Sequence, residues 1–139
     1  MIINGEFSWP VRVYYEDTDA GGVVYYANYL KFMERARSEW LRSLGFEQDR
    51  LSRQQGIVFA VRRVEIDYRH PARFNDALQV NSRIKQRRKV SLTFQQRIIR
   101  AADAKLLVEG DIQVACIDQH SFRPIAIPAN LLSSIPDVI

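Results

Sequence analysis

At 139 residues the chain has room for one domain with a proper hydrophobic core, spanning residues 1–139, and not for two ordinary ones. Its 47% apolar and 26% charged residues are the proportions of a soluble globular protein, and no apolar run reaches the length of a membrane span. The net charge is +4; the single cysteine excludes an internal disulfide framework, and with only two histidines beside it a Cys/His zinc site lacks ligands.

The opening residues Met1 to Glu6 carry neither the basic nor the apolar region of a secretory signal, so a cytoplasmic location is expected. From Phe7 to Tyr15 the residues Trp9, Val11, Val13 and Tyr15 share one parity, which predicts a strand, and Pro10 sets its start at a sheet edge. That strand runs into the densest chemistry of the chain. Between Val13 and Tyr29 lie three carboxylates, two adjacent glycines and five tyrosines. Glu16, Asp17 and Asp19 can simply solvate a turn and begin a helix. They can equally form a site, because acidic groups on a flexible loop at a helix N-terminus are suited to attacking an activated carbonyl and holding the oxyanion that develops. A calcium loop is excluded: Asp17, Asp19 and Gly22 fit its first, third and sixth positions, but Gly21 stands at the fifth and Asn28 where a bidentate Glu belongs.

Apolar residues then recur at helical spacing, Tyr29, Met33, Ala36, Trp40 and Leu44, widened by Phe32 and Leu41. With Asn28 as N-cap and Gly45 as the C-terminal stop, this predicts a helix of about five turns. Its polar face carries Glu34 on the second turn, placed to point back toward the acidic loop. Residues 46–56 connect, with helical character, to a series of strands: one around Val64, Ile66 and Tyr68, one through Leu78, Val80 and Ile84, one through Val90, Leu92, Phe94 and Ile98, and a long one from Leu106 to Cys116. Cys116 lies in an apolar run and reads as a buried, inert thiol.

Sixteen of the twenty basic residues are arginine, the side chain that suits phosphate and carboxylate. Five positive charges fall between Arg83 and Lys89, at an expected strand-to-strand turn. A solvated hairpin end accounts for them without a ligand. Nucleic acid is a poor fit, since no aromatics interleave and one turn is a small footprint. No G-x-S-x-G elbow or glycine-rich phosphate loop is present. A hydrolase built on this chain would therefore work through a carboxylate.

One early helix followed by a meander of strands, each apolar on one face, predicts an α+β domain in which an antiparallel five- or six-stranded sheet wraps one long central helix. A single helix leaves sheet surface and edges uncovered, so a homo-oligomer is expected. The residues V-Y-Y-E-D-T-D-A-G-G-V-V-Y, then A-N-Y and E-R-A-R, together with V-F-A-V-R-R, P-A-R-F-N-D and R-P-I-A-I-P, resemble the hotdog-fold acyl-CoA thioesterases, most closely the Tol-Pal-associated YbgC-type branch and its 4-hydroxybenzoyl-CoA thioesterase relatives.

The resemblance implies hydrolysis of an acyl-CoA thioester to CoA and a carboxylic acid, with no metal or redox cofactor. It implies Asp19 as nucleophile or general base and the backbone near Tyr26 as the group that polarises the carbonyl. Tyr15, Asp17, Gly22, Val23 and Tyr25 would shape the substrate loop, Glu34 would approach it, and Arg87, Arg88 and Lys89 would meet the phosphates of CoA. Sites of this family lie between subunits, so a dimer or dimer of dimers is implied. The chain departs from many relatives in having Tyr26 where they have His, which leaves no imidazole at that position. Two other readings stand beside this one. A hotdog dehydratase would need a His near the loop, and neither His70 nor His120 is near it in sequence. A non-catalytic binder of acyl carrier protein or envelope-biogenesis partners would use the basic face alone.

Overall fold

The computed structural model describes residues 2–136. Strand β1 (Ile2–Ile3) and β2 (Glu6–Arg12) lead to a single 3-10 turn at Tyr15–Asp17, then α1 (Asn28–Ser43) and α2 (Gln48–Gln55). Four long strands follow, β3 (Ile57–Tyr68), β4 (Ala77–Arg87), β5 (Ser91–Arg100) and β6 (Lys105–Asp118), and α3 (Ala129–Ser134) closes the order. They make one six-stranded antiparallel sheet in the order β1-β2-β4-β5-β6-β3, with α1 on its inner face. This is the expected α+β arrangement. Among the described residues no helix is long and apolar enough to cross a membrane.

Period-two alternation explains the inner face. Leu78, Val80 and Ile84 on β4, Leu92, Phe94 and Ile98 on β5, and Val108, Ile112 and Val114 on β6 are all buried, with polar residues between them. Against them α1 buries Tyr29, Phe32, Met33, Ala36, Trp40 and Leu41, the stripe that the helical spacing marked. Cys116 is fully buried, and burial pushes its thiol up to about 11.

The inner face is interrupted by one polar row. Ser82, Gln96 and Gly110 are register partners across β4, β5 and β6, and Ile66 on β3 continues the row. Gln96 is fully buried; its Nε2 donates to Met33 O of α1 at 3.0 Å and to Ser82 Oγ at 2.8 Å. Gly110 is required here, because a Cβ would come within 2.7 Å of Glu65 O.

Several boundaries differ from expectation. The first strand ends at Arg12, not Tyr15, because Val13 turns inward and pairs only with the Asn75–Asp76 turn. The N-cap of α1 is Ala27; Asn28 is the first helical residue and its amide is used elsewhere. Gly45 does stop the helix. With φ +91 it donates to Arg42 O while Phe46 donates to Leu41 O, the paired bonds of a Schellman motif. The basic segment is mostly strand: β4 continues to Arg87, and only residues 88–90 form the turn. Arg83 and Lys85 are engaged there with Glu6 and Asp111.

Candidate active site between the acidic hairpin and the start of α1

Residues 17–25 fold back on themselves as a small hairpin. Asp19 N–H donates to Val23 O, Tyr25 N–H donates to Asp17 O, and Thr18 bridges Val24. Ala20, Gly21 and Gly22 make its tip, with Gly22 N–H donating to Asp19 O. Gly22 has φ +77, the left-handed geometry that ends such a three-residue loop, and this is why a glycine stands there. Gly21 serves another purpose: its N–H donates to Asp19 Oδ1 at 2.8 Å, and a Cβ would crowd that oxygen at 3.2 Å.

The two aspartates are in opposite situations. Asp17 is 7% exposed, and both its oxygens are occupied: Oδ2 accepts from Tyr14 N–H at 2.8 Å and Oδ1 from Asn28 Nδ2 at 3.0 Å. It is the rivet between the 3-10 turn and the first residue of α1. Asp19 is exposed at the hairpin tip, with the Gly21 N–H on one oxygen and no partner among the described residues on the other.

The hairpin delivers the chain into α1 through Tyr25, Tyr26 and Ala27. Among the described residues, nothing accepts from the backbone N–H groups of Tyr26 and Ala27. Unpaired donors at the positive end of a helix favour an oxygen that acquires negative charge. Tyr26, 62% exposed, packs at 4.9 Å against Tyr25 and edge-on against Tyr68, whose hydroxyl donates to Tyr26 O at 3.2 Å. Tyr15 stacks on Phe74 at 3.9 Å beside the same hairpin.

Tyr26, Tyr29, Tyr68, Val24 and His70 line an open groove of about 260 Å³. Tyr29 anchors it from below. Its hydroxyl accepts from Ala72 N–H at 2.9 Å, and Ala72 O accepts from Val24 N–H. Burial raises the Tyr29 pKa, and the hydrogen bond from Ala72 N–H opposes the rise.

Of the residues singled out in sequence, Asp17, Asp19, Gly22, Val23, Tyr25 and Tyr26 are together here, with Tyr15 alongside. Glu34 is not. It lies about 9 Å along the helix from Asn28 by helical rise, accepts from Ser38 Oγ at 3.2 Å, and borders a different recess. Arg87, Arg88 and Lys89 are at the far end of β4, 10 residues or about 33 Å of strand from the Ala77 end beside the hairpin. Arg87 Nη1 donates to Leu132 O at 3.3 Å, and Lys89 O accepts from Ile127 N–H. Tyr68 and His70 escaped the sequence reading because they are some forty residues from Tyr26 in the chain. The available signal was the end of the β3 apolar pattern, at which the chain must turn at the helix start.

A sheet wrapped around one central helix, with a carboxylate and free helix N–H groups at its start, defines the class of hotdog-fold proteins that act on thioesters. Residues 13–135 match the Thioesterase-like superfamily, and the chain belongs to that family. It is 45% identical over 128 residues to the acyl-CoA thioesterase YbgC of Haemophilus influenzae, covering 92% of each chain. Among solved structures it is similar to a 1,4-dihydroxy-2-naphthoyl-CoA thioesterase from Synechocystis, with TM-score 0.87 and 27% identity over 94% of this chain and 96% of that one. A 4-hydroxybenzoyl CoA thioesterase complexed with 4-hydroxybenzoyl CoA shares the fold, with TM-score 0.88 at 19% identity over 95% and 99%.

The contrast between the aspartates is testable by stability. Asp17→Ala leaves Tyr14 N–H and Asn28 Nδ2 unpaired and should cost about 2–3 kcal/mol in urea unfolding, whereas Asp19→Asn should stay within about 0.5 kcal/mol of the parent. Equal effects of the two would remove the distinction.

Proposed function

We propose that the chain is an acyl-CoA thioesterase in which Asp19 acts as nucleophile or general base, and in which the Tyr26 and Ala27 N–H groups at the start of α1 hold the thioester oxygen. The observation that carries this is a solvent-facing carboxylate on the hairpin together with unpaired N–H donors where that hairpin runs into α1. The thioester carbonyl is polarised by the donors and the positive helix end. As general base, Asp19 takes a proton from a water that adds to the carbonyl, the oxyanion collapses with cleavage of the carbon–sulfur bond, and the proton passes to the departing sulfur, giving the acid and CoA thiol. As nucleophile, Asp19 displaces CoA thiolate, which takes its proton from solvent, and water then hydrolyses the acyl–Asp19 anhydride to free the acid and regenerate the carboxylate. Tyr26 contributes its backbone; its phenol lines the groove where the acyl group enters. The buried thiol of Cys116 and a CoA substrate fit a cytoplasmic enzyme.

We further propose that the working unit is a homodimer joined along β3. This strand is 12 residues long, has no neighbouring strand on its outer edge among the described residues, and exposes Val61 by 51%, Val64 by 41% and Tyr68 by 47%. Unpaired edges with apolar side chains are aggregation-prone unless another strand covers them. Antiparallel pairing of two β3 strands sets the Ile57 end of one copy beside the Tyr68 end of the other. It thereby shortens the separation between the hairpin of one copy and the basic turn of its partner, which is too distant within a single copy. Arg87, Arg88 and Lys89 are assigned to the phosphates of CoA on this footing.

His70 is the one feature that favours a dehydratase, since it brings a proton-transfer group into the groove. Release of thiol from acyl-CoA esters separates the two readings.

Asp19→Asn should lower kcat for such esters by a factor of about 100 to 10,000 with unchanged folding and assembly. Near-parental turnover in a folded variant would remove Asp19 from the mechanism. Replacing Arg87, Arg88 and Lys89 together by Ala should raise KM for acyl-CoA about tenfold and leave the corresponding acyl-pantetheine nearly unchanged, an effect that added salt should mimic in the parent. Equal changes for both esters would assign the turn another role. Sedimentation at micromolar concentration should show a dimer or a dimer of dimers, and Val64→Lys should shift it toward monomer with loss of activity. A stable, active parental monomer would contradict the shared site.

A further inference from the structure

The two unpaired N–H groups before α1 belong to peptides whose carbonyl ends are held in different ways. The Tyr26 N–H shares its peptide with Tyr25 O, which accepts from Asn28 N–H at 2.8 Å, a backbone contact of the first turn. The Ala27 N–H shares its peptide with Tyr26 O. That oxygen falls just outside the helix ladder: Leu30 N–H, its partner at the usual four-residue spacing, donates to Ala27 O at 3.2 Å. Among the described residues the donor to Tyr26 O is a side chain, the hydroxyl of Tyr68 at 3.2 Å.

A peptide unit is planar and trans, so its C=O and N–H point in opposite directions and turn together. Whatever fixes Tyr26 O therefore fixes the Ala27 N–H. A hydrogen bond on the carbonyl also polarises the unit and strengthens the donor at its other end, by roughly 10–30%. Tyr68 is suited to this task. It is the last residue of β3 and pairs with Val108 of β6, so its backbone is held by the sheet and not by the hairpin. Its ring lies edge-on to Tyr26, with centroids 6.2 Å apart, and tilted against Tyr29 at 5.6 Å, contacts that restrict where the hydroxyl can point. Partial burial raises its pKa above the usual tyrosine value, so the phenol keeps its proton and remains a donor.

We propose that Tyr68 is a positioning residue for the reaction: by donating to Tyr26 O it sets the plane of the Tyr26–Ala27 peptide and aims the Ala27 N–H at the thioester oxygen. The inference rests on the thioesterase reading. It gives the sheet a direct hold on the oxyanion donors, beside the hold that Asp17 gives the hairpin. Charge grows on the substrate oxygen as the tetrahedral intermediate forms, so a well-aimed donor acts more on the transition state than on the bound ester.

The test is Tyr68→Phe, which keeps the ring against Tyr26 and Tyr29 and deletes only the hydroxyl. In protein that melts and sediments like the parent, kcat for an acyl-CoA ester should fall about three- to tenfold, the effect of one neutral hydrogen bond, with KM within about twofold. A hydroxyl that merely lined the groove would change KM and leave kcat alone, and that result would overturn the proposal. A second readout needs no turnover. Tyrosine is followed by alanine only once in the chain, at Tyr26–Ala27, so protein carrying 13C at tyrosine carbonyls and 15N at alanine gives a single correlated resonance, from this peptide. A hydrogen bond to the carbonyl deshields both nuclei, so in Tyr68→Phe the resonance should move upfield in both dimensions. An unmoved resonance overturns the proposal. If no acyl-CoA is hydrolysed by the parent, the thioesterase reading fails by itself, and the resonance still decides the tether: an upfield shift supports it, and no shift overturns it.

Discussion

The buried amide of Gln96 fixes the central helix to the sheet, and the functional geometry hangs from that contact. Apolar packing alone would let α1 slide or rotate over the inner face, because dispersion and hydrophobic burial have little directionality. Gln96 removes that freedom. Its Nε2 reaches Met33 O of the helix and Ser82 Oγ of β4, while its Oε1 accepts from Arg37. Displacing the helix by one turn would leave several buried groups unpaired, at about 1–3 kcal/mol each. The register of α1 on the sheet then sets where its N-terminal N–H groups emerge.

A second polar contact transfers this register to the acidic hairpin. Asp17 holds Asn28, the first residue of α1, and Tyr14, the residue before the 3-10 turn. The hairpin is therefore attached to the start of α1, so the carboxylate of Asp19 and the free N–H groups are positioned by one body. Asp19 itself makes few contacts, which leaves an oxygen available for chemistry. One carboxylate is buried and satisfied, and the other, two residues later, is exposed and half-satisfied, which is the contrast that the proposed division between anchoring and catalysis rests on.

Much of this was legible in the sequence because it rested on period and punctuation. The α1 stripe, Gly45 as its stop, the alternation of β4 to β6 and the position of the acidic loop all follow from patterns within a few residues. The failures have a common physical origin in tertiary partners. Asn28 reads as an N-cap until Asp17 claims its amide. Tyr15 continues the parity of the first strand, yet Val13 is captured by the Asn75–Asp76 turn and the strand ends early. Glu34 faces a recess built from strands distant in sequence, and Arg83 and Lys85 are in a strand because cross-strand acids at Glu6 and Asp111 accommodate them. Tyr68 and His70 reach the groove only because β3 is antiparallel to β6 and ends beside the helix start.

The edge strand β3 contributes to both concavities. A register shift between Val61 and Arg63 changes the parity midway, so Phe59 and Val61 before it share a face with Val64, Ile66 and Tyr68 after it. That face borders the recess beside Glu34 at one end and the tyrosine groove at the other. The two concavities therefore lie along one strand, separated by exposed valines and open at the same edge. In a single copy, each is an incomplete cleft with water on one side, and for the groove that is a poor environment for stabilising an oxyanion. Two copies related by a two-fold axis along that edge would bring each groove against the other copy's recess and cover the valines. The physical requirement to cover an apolar edge and the chemical requirement to exclude water are then met by the same contact.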